Sequence, residues 1–187
     1  MQTKNWYTYR AYLGVILVVC SVYVHAADNV KVTVKSNVTE GSCALSGPGA
    51  QPFLYGHMGS EFTPSQRTVE TMILNITVKC KGSVAGKKGT IQVTGPLLQG
   101  QTDIFSAPKS TASHVGVAVR EGVYSGALSQ FYTPGEVVSK ANPDTYVGQV
   151  DAVNGGVYPY TLGLVSDGTT PGLGTVNATL TFEIKYQ

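Results

Sequence analysis

The stretch VNATLTFEIKY, residues 176–186, places Val176, Ala178, Leu180, Phe182, Ile184 and Tyr186 on one parity. Asn177, Thr179, Thr181, Glu183 and Lys185 occupy the other. Side chains of an extended strand alternate between faces, so this period of two predicts a strand with one apolar and one polar face. The same period recurs upstream. Val30, Val32 and Val34 alternate with Lys31, Thr33 and Lys35; Met72, Leu74, Ile76 and Val78 lead into Cys80. Ile91 and Val93, then Val115, Val117 and Val119, then Tyr158, Tyr160, Leu162 and Leu164 form further runs. Gly/Pro/Asn clusters separate them, at Ser46-Gly47-Pro48-Gly49, Thr133-Pro134-Gly135, Asn154-Gly155-Gly156 and residues 168–174. After residue 26, no ten-residue stretch keeps a helical period without Gly or Pro. Short, half-polar strands punctuated by turns predict an all-β antiparallel sandwich. Residues 121–153 are expected to form long loops or two weak edge strands.

Composition narrows the class. The chain has 187 residues, 42% of them hydrophobic and 13% charged, with 13 Lys+Arg against 11 Asp+Glu. That balance gives no electrostatic case for nucleic acid. The apolar content excludes a disordered chain, and three cysteines exclude a disulfide-stapled miniprotein. With no internal repeat or linker, one globular domain is expected.

The N-terminus reads as a secretory signal. Lys4 and Arg10 precede an apolar run from Leu13 to Val24, followed by His25 and Ala26. A positive start, about a dozen apolar residues and a small residue at the cut describe a signal peptide over residues 1–26. The run is short of the roughly 20 residues needed to span a membrane. Cys20 follows Val19, where a lipoprotein signal would place a small residue. Cleavage removes two positive charges and leaves the mature chain formally neutral. It also leaves two cysteines, Cys43 and Cys80, and an even pair in an exported protein predicts a disulfide. Closing a loop of about 37 residues would add roughly 3–4 kcal/mol in the chain-entropy view.

The first strand is oddly placed. Val30, Val32, Val34, Ser36 and Val38 begin within four residues of the mature N-terminus, where chains fray unless docked. Either this is the first strand of its own sandwich, or it is lent to another molecule by strand addition. Burying four valines gives roughly 6–8 kcal/mol as an upper figure.

Several features now line up. They are Ala27-Asp28, the alternating valines, Cys43 five residues after Val38, and the apolar strand ending in Cys80. Gly174 follows, fourteenth from the end, and then the C-terminal strand with penultimate Tyr186. This ordered set resembles the pilin subunits of bacterial chaperone–usher fimbriae, and is similar to minor or adaptor subunits of type 1 fimbriae. The resemblance spans the mature chain. It implies an incomplete immunoglobulin-like antiparallel sandwich (41–187) lacking its final strand, with an N-terminal donor-strand extension (27–40). It implies three partners: a periplasmic pilus chaperone, an outer-membrane usher and neighbouring fimbrial subunits. The donor side chains would be Val30, Val32, Val34, Ser36 and Val38. Gly174, Val176, Leu180, Phe182, Ile184 and Tyr186 would belong to the groove and chaperone-binding strand. Ser36 stands where family members usually carry glycine. The short extension implies a minor or adaptor subunit near the tip of a fimbria, or else the main subunit of a thinner fibre, on the cell surface, exported through the periplasm, with no membrane anchor once mature. In an isolated chain the extension would hang free or fold into its own groove.

Catalytic patterns are wanting. His57 and His114 survive cleavage without a nucleophile-elbow G-x-S-x-G, and no glycine loop that would cradle phosphate opens a helix. Neither enzyme activity nor a cofactor or metal is expected. Three Asn-x-Thr sequons, at Asn37, Asn75 and Asn177, fall within expected strands, where a glycan fits poorly. The alternative is a single-domain sandwich adhesin that binds a host ligand through loops such as 121–153.

Overall fold

The computed structural model describes residues 29–35, 42–81, 88–149 and 156–186. It contains nine strands: β1 (Asn29–Lys35), β2 (Ser42–Ser46), β3 (Ala50–Pro52), β4 (Thr68–Lys81), β5 (Lys88–Thr94), β6 (Val115–Glu121), β7 (Asp144–Gln149), β8 (Gly156–Ser166) and β9 (Asn177–Tyr186). A short α-helix, α1 (Leu128–Phe131), lies between β6 and β7, and a 3-10 turn, Gly59–Glu61, between β3 and β4. The strands form two sheets, ordered β3-β1-β9-β5-β7 and β2-β4-β8-β6. The chain is thus an all-β, two-sheet protein, as the alternating runs predict.

Each apolar parity faces the space between the sheets. Leu74, Ile76 and Val78 of β4 are buried while Ile73 on the opposite parity is exposed. Tyr160, Leu162 and Leu164 of β8 meet Ala178, Leu180, Phe182 and Ile184 of β9 in the same core. Tyr160 packs edge-on against Phe182, with ring centroids 5.0 Å apart. Its hydroxyl pairs with that of Thr145 at 2.6 Å, satisfying a polar group that would otherwise be costly to bury. Cys43 stands directly opposite Cys80 across the β2–β4 ladder, and the two form the expected disulfide.

Residues 121–153 behave differently from either simple expectation. They supply one edge strand, β7, and a segment that folds over the outer face of the β6–β8 pair. There Phe131 and Val137 join Ile104, Ala118 and Val165 in a second, smaller apolar cluster. Phe131 lies against Gly163, where an added Cβ would fall 2.2 Å from its ring. The guanidinium of Arg120 holds the segment in place, donating to the Phe131 carbonyl at 2.9 Å and pairing with Glu136. This outer cluster explains why Ala118 and Val165, on the outward parity of their strands, are buried.

Candidate functional site

Strand β1 lies between β9 and β3, closing the gap between them. It pairs with β9 in parallel over its whole length, Asn29 opposite Asn177 through Lys35 opposite Glu183. On its other side it meets β3 antiparallel, Asn29 opposite Pro52. The β1–β9 ladder is the sole parallel pairing among the described strands; the others are antiparallel. A parallel ladder is slightly less stable per residue and joins strands that no tight turn can connect.

The sequence singled out these residues, and the structure brings most of them together. Val30 and Val32 are buried in the main core with Val176, Leu180, Phe182 and Ile184. Val34 sits at the register position opposite Phe182. Ser36 and Val38 lie outside the described residues. Tyr186 pairs with Gly89 at the end of β9. Gly174 precedes β9 at a close approach: a Cβ there would lie 2.3 Å from the Ala112 backbone nitrogen and 2.5 Å from the Thr111 carbonyl carbon. The N–H groups of Thr111 and Ala112 both donate to the Thr175 carbonyl, at 2.9 and 3.1 Å. Glycine at 174 therefore lets the 106–114 segment clasp the entry to β9.

An open cavity of ≈ 300 Å³ runs along the seam, lined by Lys31, Val32, Ala50, Lys109 and Ala178 among others. A second, of ≈ 450 Å³, opens beside Val93, Leu97, Phe105 and Lys140.

The two described histidines, His57 and His114, have partners that the sequence did not announce. His57 lies between two carboxylates, with Nδ1 2.6 Å from Glu61 Oε2 and Nε2 3.0 Å from Glu70 Oε2. Burial disfavours its charged form, but the hydrogen bonds to Glu61 and Glu70 outweigh burial and raise its pKa above the usual 6.5. The same contact holds the Glu61 carboxyl below its usual range, helped by the Met58 N–H. Glu70, largely buried at the start of β4, also accepts the N–H groups of Leu54 at 2.8 Å and Tyr55 at 3.3 Å. With both ring nitrogens engaged, the cluster ties down the 53–61 loop. One signal could have found it: Glu70 shares the buried parity of Met72, Leu74 and Ile76, and a carboxylate there demands partners. His114, in a left-handed conformation at φ 61°, places Nδ1 2.9 Å from Asp167 Oδ2 at the surface. Among the described residues no group of three or more His, Cys, Asp or Glu is arranged to hold a metal ion.

Compared with known proteins, the chain matches no family model and no curated sequence.

Proposed function

We propose that this chain is a structural subunit of an adhesive fimbria, captured by a periplasmic chaperone and polymerised at an outer-membrane usher by donor-strand exchange. The observation that carries the reading is the intruding strand β1. It supplies buried Val30 and Val32 to a core otherwise assembled from residues 43–184, and it covers the β9 edge from Asn177 to Glu183. In this reading the two sheets are an immunoglobulin-like sandwich without a final strand of its own. The extension occupies that vacancy within one chain, and in a fibre a neighbour's extension does so. The two valines bring about 3–6 kcal/mol as an upper figure, before ladder hydrogen bonds. The pairing is thus strong enough to hold subunits together and can be exchanged without breaking a covalent bond.

The test is assembly by a chain whose extension is disabled. Val30→Asp with Val32→Asp leaves a subunit that the chaperone still holds but that no longer fills a neighbour's groove, so joined copies disappear. Polymers equal to those of the unaltered chain would sink the donor-strand assignment. Tyr186→Ala, at the end of the chaperone-binding strand, lowers periplasmic abundance and chaperone co-purification; unchanged amounts would remove that role.

A further inference from the structure

The last residues of β5 belong to one sheet, while Phe105 is bridged to Val117 of β6 in the other. Between them opens the cavity of ≈ 450 Å³, a volume within the range of small-molecule pockets. Val93 and Phe105 line it, and both are buried members of the main core. Leu97 lines it beside them and packs on the same core. Leu97 and Phe105 are antiparallel bridge partners, so their side chains leave the backbone on one side and stand next to each other. Pro143 adds a further apolar wall.

Backbone hydrogen bonds tie these walls together. The Val93 N–H donates to the Pro143 carbonyl at 2.9 Å, joining β5 to the segment that enters β7. The Lys140 N–H donates to the Thr102 carbonyl at 2.7 Å, joining that segment to residues 97–105. The Ser106 N–H donates to the Pro96 carbonyl at 2.9 Å, joining residues 97–105 back to the exit of β5. Three segments thus make a closed frame, and a ligand that enters a ready-made frame loses little affinity to ordering it.

The rim carries one sign of charge. Among the described residues that line the cavity, Lys140 is the sole charged one. Lys140 is exposed and enters no ion pair among the described residues. Asp144, which follows Pro143, accepts the Gln92 side-chain amide at 3.0 Å. An ammonium above an apolar floor matches a ligand with one anionic end and one apolar end, since a few polar groups orient what an apolar pocket holds.

We propose that this cavity binds a small aromatic carboxylate, with its ring against Leu97 and Phe105 and its carboxylate at the Lys140 ammonium. A ring suits the paired Leu97–Phe105 wall because aromatic rings gain from edge-on or offset contact with each other. The Lys140 ammonium is a compact charge on a flexible stem, so it can follow the carboxylate. The cavity shares no residue with the β1–β9 seam, and the inference stands apart from the donor-strand reading.

Phenylpropionate is the probe, with phenylpropanol as its neutral twin and phenylpropylamine as its cationic one. Each is titrated into the isotope-labelled protein, and amide shifts are followed by NMR. The carboxylate moves the amides of Val93, Leu97, Phe105 and Lys140 with a Kd on the order of 1 mM or below, as expected for about eleven non-hydrogen atoms. The alcohol binds about fivefold more weakly, the scale of one solvated ion pair. Lys140→Glu reverses the order, so that the amine binds more tightly than the carboxylate. Thr94→Trp, at an exposed position on the rim, fills the mouth and abolishes the shifts. Thermal unfolding checks that both variants fold, and Lys140→Gln, which should bind carboxylate and alcohol alike, serves if either melts early. No shift at those amides up to about 10 mM carboxylate would overturn the site. So would equal binding of all three probes, or an order of preference that Lys140→Glu leaves unchanged.

Discussion

Val32 and Leu180 are backbone partners on adjacent strands that run in the same direction, although almost the whole chain separates them. Both side chains reach the main core. The first described strand thus completes the layer that the last strand begins, and the connection between them is the rest of the sandwich. Burial and ladder bonds hold this strand against β9 and β3, and no tight turn joins it to β9. On the donor-strand reading proposed above, a copy of the same strand from another molecule takes this place.

The two sides of this seam differ in how much they support. Leu180→Ala empties a fully buried site in the centre of β9 and is expected to cost about 2–5 kcal/mol. Val32→Ala, on the strand that enters from outside, is expected to cost less than Leu180→Ala, because Val32 loses a smaller side chain and retains slight exposure. Urea unfolding of both variants checks the order, and an equal or larger loss at Val32 would contradict it.

The His57 clamp makes stability depend on pH. The folded pKa of His57 lies above 6.5, so its contribution is fully present below about 6.5 and fades as pH rises through the folded value. Glu61 lies below its usual 4.5, so its contribution is present above that pH and fades as pH falls through the lowered value. The clamp therefore contributes most between these two usual values. Melting temperature measured across pH should fall on both sides of that window, and His57→Gln should flatten the alkaline side. A profile unchanged by the substitution would show that the clamp carries no stability.

Reducing the Cys43–Cys80 bond should destabilise the domain by roughly 3–4 kcal/mol, since the unfolded chain regains a loop of about 37 residues. Denaturant midpoints with and without reductant give the number. A midpoint indifferent to reduction would mean that the β2–β4 ladder holds its register unaided.

Phe131→Ala should cost about 3–5 kcal/mol, as expected for a fully buried aromatic. Because Phe131 belongs to the outer cluster, amide exchange should quicken in residues 123–138 more than in β9. Equal loosening of β9 would mean that the two clusters form one cooperative unit.

Much of this architecture is legible in the sequence, and the reason is specific. The inward residues of β4, β8 and β9 are apolar at every second position, and period two has one structural meaning. Cys43 and Cys80 are legible as a pair because the expected signal segment contains the third cysteine, Cys20. Residues 121–153 were harder: Phe131 and Val137 bury themselves on the outside of a sheet, a place that alternation along a strand does not encode. Glu61 and Glu70 escaped because a histidine and its carboxylates meet through a loop and a strand start, with no fixed spacing. The direction of β1 relative to β9 is likewise a property of the pairing, to which the valine pattern is blind.

The central claim is that the sandwich needs a strand it can receive from outside. Its most direct test is thermal unfolding of the protein lacking residues 27–40, alone and with a synthetic peptide of that segment. The account predicts a low melting temperature that climbs with peptide concentration, as mass action requires when a ligand binds the folded state. A deleted protein that melts high and ignores the peptide would mean that the fold is complete without β1, and the donor-strand account would fall.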